Sequence, residues 1–136
     1  MTTSTLTHQA RARADYLNLA LWTFQGWIAM FFIAAGYAKL TESMENLTVL
    51  MTWPALVSET FVRGLGVAEL VLAVMVLTPL ISWRFGRPLL LTATAGLLVL
   101  EIAALAFHAV GLDVGLTLTN VFLIAITAPV LWLRRR

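Results

Sequence analysis

The chain has 136 residues, 60% of them hydrophobic and 12% charged, with a net charge of +2 and a mean hydropathy of +0.89. A water-soluble domain carries roughly a quarter of its residues as charges, so this composition cannot cover a globular surface and places the chain in a bilayer. The absence of cysteine excludes disulfide frameworks, thiolate metal centres and CxxC redox chemistry within the chain. The basic residues flank apolar runs, so they read as membrane-orienting charges and not as a nucleic-acid surface.

Four segments reach the roughly 20 apolar residues that a helix needs to cross the hydrocarbon core: Leu17–Leu40, Phe61–Ser82, Pro88–His108 and Val114–Leu133. Nothing resembles the alternation of an outer-membrane barrel, and every backbone amide in lipid must be satisfied locally. The expected fold is therefore all-α, an integral membrane four-helix bundle. Residues 1–16 form a tail, 17–133 a single four-span transmembrane domain, and 134–136 a basic end.

The tail, the second connection and the C-terminus fall on one side. They hold Arg11, Arg13, Arg84, Arg87, Arg134, Arg135 and Arg136, seven of the nine basic residues. The positive-inside rule makes that side cytoplasmic and the chain a multi-pass inner-membrane protein with both termini inside. Gly36-Tyr37-Ala38 also suits a signal-peptide cleavage site, but the apolar stretch before it is long for one and cleavage would break the charge pattern.

The first span carries Gln25, Ala29, Phe32, Gly36 and Lys39 on one helical face. The long connection after it, Thr41–Thr60, repeats Met44, Leu47, Leu50 and Met51 at helical spacing before Trp53-Pro54. It reads as a short helix lying in the outer headgroup layer, with Trp53 as its anchor. Trp22, Trp27, Trp83 and Trp132 read as the belt of the inner interface.

The second span aligns Gly66, Glu69 and Ala73. The third aligns Thr94, Glu101 and His108 at steps of seven, and the fourth aligns Thr117, Asn120 and Thr127. A carboxylate facing lipid costs about 2.5 kcal/mol or more, so these four seams are expected to face one another. Counting about 1.5 Å per residue, Glu69, Glu101 and Asn120 fall roughly 10 to 12 Å below the outer surface, with Lys39 and His108 at the rim. Lys39 leans down and Glu69 leans up, so the two can meet if their helices are neighbours. Arg63 is the competing partner for Glu69.

No phosphate loop, HExxH or G-x-S-x-G motif is present, and two carboxylates with one histidine have no recognisable metal-ligand spacing. No catalytic residue and no metal ligand is assigned. Three roles stay open for the interior polar residues: glue between helices, the lining of a pocket for an amphipathic small molecule, or an ion path.

Several of these motifs fall into a familiar order. Gly36-Tyr37-Ala38-Lys39-Leu40 resembles the G-x-x-K-L of DoxX-like proteins, and Gly66-Val67-Ala68-Glu69-Leu70 resembles their G-x-x-E-L. Thr78-Pro79 and Ala106-Phe107-His108 are similar to the family's layout, and the resemblance runs from Trp22 to Arg136. Many relatives carry paired glycines where this chain has Val71-Leu72-Ala73.

The resemblance implies a small four-helix membrane protein, an accessory or scaffold subunit working with a redox enzyme. The alternative is a quinone- or lipid-binding subunit of an oxidoreductase, with a polar pocket in the outer half of the bundle. It implies a quinone as the candidate cofactor, with no covalently bound group. The expected partners are the bilayer and either another protein or further copies of the chain. Lys39, Glu69 and His108 match family motifs; Glu101 and Asn120 join them from the seam argument. In the quinone reading, His108 and Glu101 exchange protons while Lys39 and Asn120 donate hydrogen bonds.

Overall fold

A computed structural model describes residues 2–136, with side chains from residue 7 onward. Among the described residues there is no strand; the helices are α1 (Thr2–Thr41), α2 (Met44–Met51), α3 (Glu59–Leu77), α4 (Trp83–Val110) and α5 (Val114–Arg134). Four of them, α1, α3, α4 and α5, are long and apolar enough to span a bilayer. The expected four-helix membrane bundle with a short helix in its first long connection is the observed architecture.

The boundaries shift from the sequence expectation for local reasons. Helix α1 has 40 residues, about 60 Å at 1.5 Å per residue, roughly twice the thickness of a hydrocarbon core. Its first turns therefore extend beyond the bundle, and residues 7–19 are exposed throughout. Met1 and the side chains of residues 1–6, part of the expected tail, lie outside the described residues. Helix α3 ends at Leu77 because Pro79 has no amide to continue the ladder; Thr78–Leu80 form a single 3-10 turn. Helix α4 starts at Trp83, not Pro88, and takes Pro88 in its second turn.

Side-chain caps mark three helix starts. Ser43 accepts from the Asn46 amide, Ser58 from that of Phe61, and Asp113 from that of Leu116, each satisfying a donor that the helix cannot. Between α2 and α3, Thr52 adopts a φ of 66°, a left-handed conformation that turns the chain so that Trp53–Leu56 close as a 3-10 turn with Pro54 buried.

The packed pairs are α1 with α3, α3 with α4, α4 with α5 and α5 with α1. Helices α1 and α3 approach closely at two glycines. A Cβ added to Gly36 would lie 2.7 Å from the Gly66 carbonyl oxygen, and one on Gly66 would lie 2.8 Å from Lys39 Cβ. Small residues at a crossing let helix backbones touch in lipid, where no hydrophobic force drives them together. This chain makes its close contact three residues before Glu69. At the end bearing both termini, Gly86 sits against the Thr78-Pro79 backbone, with a would-be Cβ 2.4 Å from the Pro79 nitrogen.

A side chain at Gly36 or Gly66 must push α1 from α3. Gly66→Ala is expected to lower stability by about 1–3 kcal/mol, the range for an overpacked site, seen as a lower Tm in detergent. Gly26→Ala, where a Cβ meets nothing within 4 Å, is expected to leave Tm unchanged.

Candidate functional site

The four polar seams turn inward. Gln25, Lys39, Glu69, Thr94, Glu101, His108, Asn120 and Thr127 are all buried. They divide into two groups by position along the bundle.

The first group lies at the end bearing the termini. Arg134 Nε donates to Gln25 Oε1 at 2.9 Å and its Nη1 to Asn18 Oδ1 at 2.7 Å. The guanidinium lies 5.2 Å from the ring centre of Trp22 and 5.1 Å from that of Trp83. Arg87 donates to the carbonyl oxygens of Arg134 and Arg135 at 2.9 and 2.7 Å. Gln25 Nε2 donates to the Val76 carbonyl at 3.3 Å. The arginines that read as orientation signals thus also lock α1, α4 and α5 together. Sequence reasoning missed this, although the signal exists. Asn18, Arg87 and Arg134 each extend a polar seam by seven residues: Asn18 before Gln25, Arg87 before Thr94 and Arg134 after Thr127.

The second group lies in the opposite half. Lys39 Nζ donates to both oxygens of Glu69, at 3.0 and 2.8 Å, with both side chains almost wholly buried. The glycine crossing one turn away brings the two backbones near enough for this bidentate pair. Arg63 does not compete: it donates to the carbonyl oxygens of Lys39 and Glu42 and pairs with Glu59 at 2.9 Å. It thereby caps the C-terminal carbonyls of α1, where a cation also suits the helix dipole.

On the facing wall, Glu101 Oε1 accepts from the Thr127 hydroxyl at 2.7 Å, and Oε2 is buried without a partner. Asn120 Nδ2 donates to the Leu116 carbonyl at 2.8 Å. His108 is buried with its ring edge-on to Phe107.

Between the two walls lies a cavity of about 530 Å³. All five residues singled out from the sequence, Lys39, Glu69, Glu101, His108 and Asn120, line it. The remaining lining is largely apolar and includes Phe31, Phe32, Phe61, Phe107 and Leu123. Trp53, expected as a headgroup anchor, also lines it, with its ring centre 6.0 Å from Lys39 Nζ. The segment Leu50–Val57 supplies further lining residues and so roofs the space. The aromatic lining was not foreseen, because Phe residues in a membrane span carry no polar signal to set them apart from lipid-facing bulk. No group of three or more His, Cys, Asp and Glu side chains is placed to hold a metal among the described residues.

Removing one partner of the ion pair strands the other in a low-dielectric interior. Glu69→Gln or Lys39→Met alone is expected to cost about 3–5 kcal/mol, read as loss of the thermal unfolding transition or a large drop in Tm in detergent. The double variant Lys39→Met/Glu69→Gln should regain most of that loss.

Comparison with known proteins yields one family. The model of the DoxX-like family matches residues 23–130, a range that includes the glycine crossing, the ion pair and all five candidate residues. No curated protein and no solved structure matches the chain. Four bilayer-length helices with that match over most of their length make this a multi-pass inner-membrane protein, and the chain belongs to the DoxX-like family.

Proposed function

We propose that the protein is an accessory membrane subunit that holds an amphipathic, lipid-soluble molecule of quinone type in this cavity and serves a redox enzyme that supplies the chemistry. The cavity supports the reading: it pairs an apolar, aromatic body of suitable size with polar side chains on two opposing walls. Ligand sites have this make-up, mostly apolar with a few convergent polar groups. Both termini lie in the cytoplasm, given the arginines gathered at that end, and the cavity occupies the outer half of the bundle.

Within this reading the candidate residues have different tasks. Glu69 and Lys39 neutralise each other and fix α1 on α3, so they shape one wall. Glu101, His108 and Asn120 face the ligand from the other wall. A pure scaffold role draws support from the closed Lys39–Glu69 pair. It also employs one oxygen of Glu101, on the Thr127 hydroxyl, and leaves the other without a partner.

Native mass spectrometry of the protein released gently from its own membrane tests the proposal. The expected result is an added mass matching a quinone or another lipid-soluble molecule, lost in the cavity-filling variant Ala104→Phe. Protein carrying no small molecule, alone or with copies and partners, would favour the scaffold role instead.

A further inference from the structure

The end of the bundle away from the cavity carries cations that the helix clamp only partly uses. Arg84 and Arg87 stand in the first two turns of α4, and Arg135 and Arg136 follow the last turn of α5. Arg87 joins the two groups, since its Nε and Nη2 donate to the carbonyl oxygens of Arg134 and Arg135. Arg84, one turn before Arg87 on the same face, is exposed, as are Arg135 and Arg136. The side chains of Arg84 and Arg135 make no hydrogen bond within the described residues.

No carboxylate side chain balances this cluster. The chain has no Asp or Glu between Glu69 and Glu101, nor after Asp113. Asp15, the one acidic side chain at this end, is exposed on the extension of α1 and forms no ion pair. Among the described residues the two ion pairs, Lys39–Glu69 and Arg63–Glu59, lie at the opposite end.

Depth identifies the counter-charge. The Arg136 guanidinium lies 4.2 Å from the ring centre of Trp132, and that of Arg84 lies 5.8 Å from that of Phe85. Trp83, Phe85 and Trp132 are 44%, 72% and 49% exposed, and exposed aromatic rings at the end of a span mark the headgroup level. Guanidiniums held beside them stand at the phosphates of the leaflet and not out in the water, where a soluble acidic partner would dock. A guanidinium fork matches the oxygens of a phosphate, and basic pockets at helix ends on the cytoplasmic side take anionic headgroups. A zwitterionic lipid brings its own cation, so the unbalanced arginines favour a headgroup with net negative charge.

We propose that the end of α4 and α5 bearing Arg84, Arg87 and Arg135 is a binding site for an anionic phospholipid, whose phosphate these side chains hold beside Trp83 and Trp132. The site is separate from the cavity and does not depend on what the cavity holds.

In the test, the detergent-solubilised protein is equilibrated with equimolar phosphatidylglycerol and phosphatidylcholine and repurified, and the lipid retained per chain is measured by mass spectrometry. The expected result is at least about tenfold more phosphatidylglycerol, shrinking as salt rises. In Arg84→Gln/Arg135→Gln the preference should fall close to parity, because each arginine near the phosphates is worth about fivefold. In the cavity-filling variant Ala104→Phe it should persist. Equal retention of the two lipids by the unaltered protein overturns the proposal and leaves the arginines to an acidic protein surface. A preference that survives the double variant, or one lost in Ala104→Phe, also overturns it, the latter by placing the lipid in the cavity. The comparison on the unaltered protein stands even if a variant does not fold.

Discussion

Hydrocarbon offers no water to a buried charge, and the arrangement of this bundle follows from how its two interior carboxylates are met. Glu69 is met by Lys39 from the neighbouring helix, in a bidentate pair at 2.8 and 3.0 Å. Beside that pair, Gly36 and Gly66 let α1 and α3 approach at backbone distance. Glu101 is met on one oxygen by Thr127 of α5, which ties α4 to α5. Two helix pairs result, α1 with α3 and α4 with α5, each stitched by its own carboxylate.

What joins the two pairs to each other lies mainly at the end bearing the termini. Arg134 reaches across to Asn18 and Gln25, and Thr78 of the connecting turn donates to the Gly86 carbonyl of α4. Among the described residues, no side-chain hydrogen bond crosses between the pairs in the half that holds Glu69 and Glu101. The bundle is clamped at one end and held at the other only by apolar packing. A cavity between the pairs belongs where the clamp is absent, and the segment from Leu50 to Val57 contributes to its lining.

Much of this was legible in the sequence because helical spacing in a membrane has few solutions. A polar residue every seven positions must face inward, and the seams through Gln25, Glu69, Glu101 and Asn120 turn out to be buried faces. The lean of Cβ towards each helix's own N-terminus placed Lys39 within reach of Glu69 before the neighbours were known. Three things were not legible. Arg134 looked like an orientation charge because the positive-inside pattern already accounted for it. The same side chain can serve both ends, its guanidinium remaining near the interface while it binds Asn18 and Gln25. Gly86 gave no periodic signal, since its role depends on the path of the turn at Thr78-Pro79 and not on a helix face. Which hydrogen-bond valences remain free could not be read at all, because Asn120 could equally have turned its amide towards a ligand.

The last of these matters most for function. Composition and spacing tell which residues share an interior, but a polar interior serves packing equally well whether or not it binds anything. Glu69 and Glu101 illustrate the difference. Both are interior carboxylates at similar depth on inward faces, and the sequence offered a cationic partner only for Glu69. In the folded chain Glu69 has both oxygens engaged by a cation, and removing it would unbalance the helix pair it joins. Glu101 has one oxygen engaged by a neutral hydroxyl and one buried without a partner. A residue retained only to fix helix contacts would gain nothing from that second oxygen, and threonine or glutamine in its place could make the same bond to Thr127. The two carboxylates thus differ in their partners, a cation on both oxygens of Glu69 and a neutral hydroxyl on one oxygen of Glu101.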